Sequence, residues 1–287
     1  MRLILQGDNL EIARQLPDGC AALIYLDPPF NTGRRRVRTQ VRTPLDAEGD
    51  RLGFQGKRYR TEFLGHRSFA DSYDDYLGFL EPRLREAHRL LAPHGSLFLH
   101  LNPREAHYAK VLLDTIFGRE SFINEIIWAW DYGARTRKRW PGKHDTLLWY
   151  ARHPRRFTFN YDAMDRIPYL APGLAGAAKA RRGKTPTDVW WHTIVSPTGR
   201  EKTGYPTQKP LGILRRIIAV HSHPGELVID LFAGSGTTGV AAAEGQRDFL
   251  LVDKSRTAIA VMRRRLLRHG ARISTLGDAL LAIGGNP

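Results

Sequence analysis

The sequence predicts an α/β protein, a mostly parallel sheet with helices on its faces. Short apolar runs alternate with stretches whose apolar residues recur at helical spacing. The run Ala22–Leu26 stops at Asp27-Pro28-Pro29-Phe30, where two prolines end any hydrogen-bond ladder and stiffen the turn. Between Glu226 and Ser255 an apolar strand, a glycine turn, an Ala-rich helix and a second apolar strand follow one another.

In chain order, the opening reads as a short strand, a turn, an amphipathic helix carrying Leu10, Ile12, Ala13 and Leu16, and the buried strand Ala22–Leu26. Residues 31–67 show no clear period and hold ten Lys and Arg side chains, from Arg34 to Arg67, among glycines and few acids. That is long and basic for a connection, so we expect a functional loop or a partly disordered segment. From Tyr73 a helical pattern runs through Leu77, Leu80, Leu84, Ala87 and Leu91, stops at Pro93-His94-Gly95, and gives way to the strand Ser96–Leu101. A helix over Ala106–Phe117 and a β-branched, aromatic run from Asn124 follow. Between Asp131 and Thr203 the alternation breaks. There, His144–Arg152 and Phe157–Tyr161 look like strands separated by basic and Pro/Gly-rich pieces, and the region reads as an insertion. The rhythm resumes with a helix that Pro210 opens, with Leu211, Leu214, Ile217 and Ile218 at its period.

Composition narrows the function. With 287 residues, 42% of them hydrophobic, the chain can bury a sizeable core. Its 44 Lys and Arg against 29 Asp and Glu leave a net charge of +15, which favours a polyanionic partner, nucleic acid first. No apolar run approaches a spanning helix, and the first residues meet acid and amide too soon for a signal peptide. We therefore expect a cytoplasmic protein with no membrane partner. The single cysteine, Cys20, permits no internal disulfide or cysteine metal cluster, and no metal site is expected.

Gly234, Gly236 and Gly239 satisfy the G-x-G-x-x-G spacing, and Asp253 ends the next strand where an acid meets ribose hydroxyls. This points to a nucleoside-bearing cofactor over the strand ends, because glycines let the backbone approach and a helix N-terminus offers N–H groups. By itself it leaves NAD and S-adenosylmethionine both open. Asp230, just before the turn, leans toward the methyl donor: its carboxylate can pair with an ammonium, whereas it repels a pyrophosphate.

Three segments in this order resemble the amino-directed DNA methyltransferases, which methylate the N6 of adenine or the N4 of cytosine. Asp27-Pro28-Pro29-Phe30 is similar to that family's D-P-P-[YF] signature, "DLFAGSGTTG" to its cofactor loop, and "YPTQKP" to the segment before the loop. Catalytic motif first and cofactor loop last is the order of the β class. The resemblance implies a Rossmann-like S-adenosylmethionine-dependent methyltransferase fold, with a seven-stranded, mostly parallel sheet and the two motif strands side by side. It implies one domain over residues 1–287, with a basic loop at 31–67 and an inserted target-recognition region at 131–203. Asp27 and the Pro28 carbonyl would accept hydrogen bonds from the target amine, and Phe30 would stack on the extruded base. Phe232, Ala233, Gly234, Ser235 and Gly236 would wrap the donor, with Thr237 and Thr238 opening the helix. Asp253 would hold the ribose and Asp8 would lie nearby. Tyr205, Thr207, Gln208 and Lys209 would close the pocket.

Arg135, Arg137, Lys138, Arg139 and Lys143 are candidates to grip phosphates of double-stranded DNA, with Trp140, Trp190 and Trp191 to stack or wedge. Asp at the first motif position favours adenine over cytosine. The resemblance leaves room for a homodimer and for a restriction endonuclease encoded elsewhere. The rivals are weaker: an NAD-dependent oxidoreductase leaves the DPPF turn and the charge unexplained, a zinc deaminase needs paired cysteines, and a cytosine C5 enzyme needs a cysteine nucleophile after a proline at a strand tip, whereas Cys20 precedes its strand.

Overall fold

The computed structural model describes residues 1–42, 44–52, 56–60, 62–71, 73–133 and 135–284. In chain order the elements are β1 (Arg2–Gln6), α1 (Asn9–Gln15), β2 (Ala21–Leu26), β3 (Arg34–Arg42), β4 (Arg51–Leu52), β5 (Arg58–Tyr59), β6 (Glu62–Asp71), α2 (Tyr76–Leu90), β7 (Leu91–Leu101) and α3 (Ala106–Phe117). Then come β8 (Phe122–Ala129), β9 (His144–Ala151), α4 (Pro172–Ala175), α5 (Ala177–Arg182), β10 (Val189–Trp191) and α6 (Leu211–His221). The last are β11 (Leu227–Asp230), α7 (Thr237–Glu244), β12 (Asp248–Asp253), α8 (Arg256–Leu266), β13 (Arg272–Ile273) and α9 (Leu276–Gly284). Where one domain was expected, the chain forms two compact units: Met1–Pro28 with Leu77–Pro287, and Pro29–Tyr76.

Among the described residues of the larger unit, nine strands form one sheet in the order β10-β8-β9-β7-β2-β11-β12-β1-β13. Every pair is parallel except those of β9, which runs antiparallel to both β7 and β8. Seven of these strands are the implied framework, and the short β10 and β13 extend its two edges. Both faces are covered. Ile4, Leu23, Phe98, Leu147, Val228 and Leu251 share a core with Ile213, Leu214 and Ile217 of α6, Val240 of α7 and Met262 of α8. Alternate residues such as Leu3, Leu5, Ile24, Leu26, Leu97 and Leu99 are also fully buried, as a parallel sheet with helices on both sides requires. Each such side chain contributes about 1.5–3 kcal/mol by leaving water.

The antiparallel β9 explains why the alternation broke: a strand that returns without a crossover helix leaves no helical period before it. Its predicted companion Phe157–Tyr161 forms no strand. Instead Phe157 and Phe159 pack on Trp149, with ring centroids 5.4 and 5.8 Å away. The stop at Pro93-His94-Gly95 is a bulge within β7, whose register shifts between Ala21↔Leu91 and Leu23↔Ser96. Gly95 is needed there because a Cβ would lie 2.9 Å from the Ala21 carbonyl oxygen.

The smaller unit replaces the expected loop with strands. β3 and β6 form an antiparallel pair, Arg34↔Asp71 through Arg42↔Glu62, and β4 pairs with β5. No alternation of apolar and polar residues advertised a ladder whose partner strands are twenty residues apart in sequence. Thr43, residues 53–55 and Thr61 of the expected loop, and Ala134 of the expected insertion, lie outside the described residues.

Candidate active site

Two strands carry the site, and they are neighbours. β2 and β11 pair in parallel with Tyr25 opposite Asp230, so the tip that ends in Asp27-Pro28 and the turn that begins at Leu231 leave the same edge of the sheet. Open α/β sheets hold ligands at the carboxyl ends of adjacent strands. This juxtaposition of residues about 200 apart in sequence is the spatial expectation on which the chemistry depended.

The glycine turn is shaped by its backbone. Gly234 and Gly236 have φ of +49° and +73°, values that L side chains adopt at a cost. The Gly236 N–H donates to Ala233 O at 2.7 Å, and the Ala233 N–H donates to Val252 O at 3.1 Å. Thr237 and Thr238 open α7 as expected. Gly239 lets that helix approach the sheet: a Cβ there would lie 2.6 Å from Leu251 Cδ1 and 3.0 Å from Leu266 Cδ1.

Asp253 stands at the end of β12, where its Oδ2 accepts the Gly234 N–H at 2.9 Å and its Oδ1 the Ser255 N–H at 2.8 Å. Burial raises its carboxyl above the ordinary value although those two bonds and Lys254 oppose the shift. Each oxygen retains capacity for a further donor, so the residue suits a pair of ribose hydroxyls. Asp8 caps α1 by accepting from the Leu10 N–H at 2.9 Å, and the Gly7 N–H donates to Asp253 O at 3.2 Å. The ends of β1 and β12 therefore run side by side, with Asp8 one residue beyond the contact and its Oδ2 3.7 Å from the Arg83 guanidinium.

Asp230 departs from expectation. Its carboxylate is 2% exposed, with the Phe232 N–H on Oδ1 at 2.9 Å and the Thr238 hydroxyl on Oδ2 at 2.5 Å. Desolvation outweighs those bonds and, with the charges of Asp27 and Asp253, pushes its pKa to about 7. It braces the turn from below and presents no open face to an ammonium. Ser235 is likewise buried, sharing a 3.1 Å hydrogen bond with Thr237. Phe232 packs on Phe79, ring centroids 6.1 Å apart.

The "YPTQKP" segment divides its roles. Tyr205 covers the turn, since a Cβ on Gly234 would meet its ring at 3.1 Å. Burial and then the charges of Asp253 and Asp27 push its phenol up. Gln208 braces its own loop: its Oε1 accepts from the Thr203 N–H and hydroxyl, and its Nε2 donates to Glu201 O at 2.8 Å. Thr207 is exposed, with φ of +60°. Lys209 reaches the catalytic tip, its Nζ 2.8 Å from Asp27 Oδ1. Sequence had placed this lysine on the donor, not on the acid.

Pro28 is buried after Asp27. Pro29 and Phe30 open the smaller unit, where the Tyr76 hydroxyl donates to Pro29 O at 2.6 Å and Phe30 is half-buried. In the expected insertion, Trp140 is 94% exposed while Trp190 is buried, with the Arg216 guanidinium 4.8 Å from the Trp190 ring centre. A concavity of about 440 Å³ there is lined by Asp131, Tyr132, Gly133, Arg135 and Lys143.

Sequence reasoning missed three partners. Asn9 Nδ2 donates to Leu231 O at 2.8 Å and so ties α1 to the start of the glycine turn. Arg83 donates to Asn9 Oδ1 at 2.8 Å. Arg265 donates to Thr237 Oγ1 at 2.9 Å from α8. Asn9 follows a candidate residue at a strand end and was within reach of the motif reading, whereas Arg83 and Arg265 look like ordinary helix-surface cations. Cys20 is partly buried, and desolvation pushes its thiol up to about 11, against any nucleophilic role.

Residues 21–264 match the family model described as DNA methylase, N6_N4_Mtase. The chain is 26% identical over 263 residues to the Type II methyltransferase M.HpaI of Haemophilus parainfluenzae, a match spanning 92% of this chain and 73% of that protein. It is also 26% identical over 278 residues to the DNA adenine methyltransferase YhdJ of Escherichia coli strain K12, across 92% and 82% respectively. Its fold superimposes on the PvuII DNA methyltransferase (cytosine-N4-specific) with a TM-score of 0.65 at 14% identity, over 99% of this chain and 91% of that one. The chain belongs to the N6/N4 DNA methylase family, and is an S-adenosylmethionine-dependent DNA methyltransferase acting on an exocyclic base nitrogen. That membership removes the NAD-dependent oxidoreductase. Among the described residues no helix is long and apolar enough to cross a membrane.

Proposed function

We propose that the protein methylates the N6 amine of adenine in double-stranded DNA, with the base turned out of the helix. The observation that carries this reading is the Asp27 carboxylate at the tip of β2, beside the glycine turn of β11 and paired with Lys209. The lone pair of an exocyclic amine is delocalised into its ring, so the nitrogen is a poor nucleophile. With Oδ1 on the Lys209 ammonium, the second oxygen of Asp27 and the Pro28 carbonyl accept the two N–H groups, which localises the lone pair and stabilises positive charge as it develops. S-adenosylmethionine supplies the methyl group as an electrophilic sulfonium substituent. Asp253 and Asp8 hold hydroxyls, the turn from Phe232 to Gly236 gives its backbone to the donor, and Tyr205 covers the turn. Phe30 gives the extruded ring an aromatic face, as its place in the motif implies.

Asp at the first motif position supports adenine, as does the description of the E. coli relative as an adenine methyltransferase. Of the expected insertion at 131–203, β9 (His144–Ala151) is a framework strand inside the sheet, and the segments on either side of it serve as the target-recognition region, with Arg135, Arg137, Lys138, Arg139 and Lys143 on phosphates. The type II description of the H. parainfluenzae relative supports a restriction endonuclease, encoded elsewhere, as the functional counterpart. The test is to methylate duplex DNA with labelled donor, digest it to nucleosides and identify the product by mass spectrometry. N6-methyldeoxyadenosine is expected. N4-methyldeoxycytidine would reassign the base, and unlabelled DNA would remove the reading.

A further inference from the structure

A second polar row lies at the end of β2. Tyr25 is the last residue but one of that strand, two residues before Asp27 at its tip. On β7, Leu99 pairs with Leu26, and the next residue, His100, pairs with Leu147 of β9, two residues beyond Asp145. The Tyr25 hydroxyl is 2.6 Å from His100 Nδ1, and His100 Nε2 is 3.2 Å from Asp145 Oδ2. Three neighbouring strands thus contribute one hydrogen-bonded chain. Its central imidazole has no exposure, and the Trp128 ring closes on it edge-on at 5.6 Å.

Protonation gives the chain a direction. Burial, with the charges of Asp27, Asp230 and Asp145, raises the Tyr25 hydroxyl well above its ordinary value. An ionised Asp145 can only accept, so the imidazole proton is assigned to Nε2, facing it, and the Tyr25 hydroxyl donates to Nδ1. Burial raises the Asp145 carboxyl, but the His100 hydrogen bond and the Lys209 ammonium oppose that, and the group lies below its usual range. The same ammonium that holds Asp27 therefore also acts on Asp145. Apolar side chains of similar size would join these strands as well as a buried polar row does. What the row adds is orientation.

Resting on the methyl-transfer reading above, we infer that Tyr25, His100 and Asp145 are positioning residues: by tying the end of β2 to β7 and β9 they fix the tip that carries Asp27, while Lys209 holds one oxygen of its carboxylate and leaves the other to the target amine. None of the three touches the reacting atoms. Their contribution is to kcat, because a carboxylate free to turn still binds donor and DNA but misaligns the amine.

The experiment compares the full-length chain with Tyr25→Phe, Lys209→Met and Lys209→Arg in steady-state transfer of labelled methyl groups to duplex DNA, counting both bases. Tyr25→Phe should lower kcat by about tenfold and Lys209→Met by about a hundredfold, with KM for donor and DNA within about twofold. Lys209→Arg, which keeps the cation, should recover most of the loss. S-adenosylhomocysteine should still raise the melting temperature of each variant. Unchanged kcat in Tyr25→Phe overturns the inference. So does a loss that falls on KM and on S-adenosylhomocysteine binding together, since that marks a merely structural role. Should Tyr25→Phe fail to fold, Asp145→Asn, which keeps an acceptor facing His100 Nε2, reads the row in its place with the same expected loss of kcat, and an unchanged kcat in Lys209→Met also overturns the inference. Absence of transfer by the wild-type chain overturns the methylation reading along with this one, whereas transfer by wild type with unaltered variants overturns this one alone.

Discussion

Replacing Asp230 by Asn separates two accounts of that residue. If it faced the donor's ammonium, removing the charge would cost donor affinity. If it braces the turn from inside, the change acts on folding, in a way that depends on pH. The fold pushes this carboxyl from 3.8 to about 7, roughly three pH units at about 1.4 kcal/mol each, or about 4 kcal/mol as an upper limit. The sign follows from proton binding. Between those two values the folded chain holds a proton that the unfolded chain has released, so the group's contribution is greatest below pH 4 and is lost as pH rises to 7.

Asn stays neutral throughout and can keep both partners, its oxygen taking the Phe232 N–H and its amide donating to a reoriented Thr238 hydroxyl. Asp114, Asp145 and Glu244 have lowered values and give the opposite slope at lower pH. The quantity to read is therefore the difference between wild type and variant. Between pH 5 and pH 8 the variant should gain about 3 kcal/mol on the wild type, roughly 6–12 °C of melting temperature for a chain of this size. Calorimetric or fluorescence melts across that range measure it, with S-adenosylhomocysteine titrated at pH 8. A difference in melting temperature constant to within about 2 °C would refute the burial account. A loss of donor affinity of about tenfold or more would restore the ammonium partner.

Three further outcomes follow. Asp27→Ala should cut methyl transfer by about a hundredfold or more while S-adenosylhomocysteine still binds; transfer of label at the wild-type rate would remove the assigned role. Gly239→Ala should lower stability by about 1–3 kcal/mol despite alanine's better helix propensity, because its methyl would meet Leu251 and Leu266; an unchanged melting temperature would show that the two side chains give way. DNA affinity should fall steeply with salt, and Arg135→Gln with Lys138→Gln should flatten the log–log slope by about two; a slope unaffected by both changes would place the phosphate contacts elsewhere.

Most of the sheet was legible because its strands are buried on both faces and read as unbroken apolar runs. The Ala106–Phe117 helix coincides with α3, and Pro210 does stand at the start of α6. Long-range pairing was legible only through motif order: nothing local in "IYLDPP" or "LVIDLF" names the other as its neighbour. His144–Arg152 is legible as a strand and forms β9, but its antiparallel pairing and that of β3 with β6 escaped for the converse reason, since a strand that lacks either alternation or a crossover helix leaves little trace of its partner.

The site followed the same division. Backbone roles could be read from residue type, because positive φ and close approach select glycine at Gly234, Gly236 and Gly239. Side-chain roles could not, because a lysine or an aspartate at a strand end is compatible with several partners until the third dimension is known. Lys209 was read as closing over the donor and Asp230 as facing it. The fold exchanges their sense, setting the cation on the catalytic acid and turning the acid inward to Thr238 and Phe232. A buried carboxylate with two donors can hold a turn, and an ammonium 2.8 Å from Oδ1 limits how the Asp27 carboxylate can rotate. Two charges that sequence assigned to binding therefore act on geometry, which is why their substitutions should register in melting behaviour and in kcat before they register in affinity.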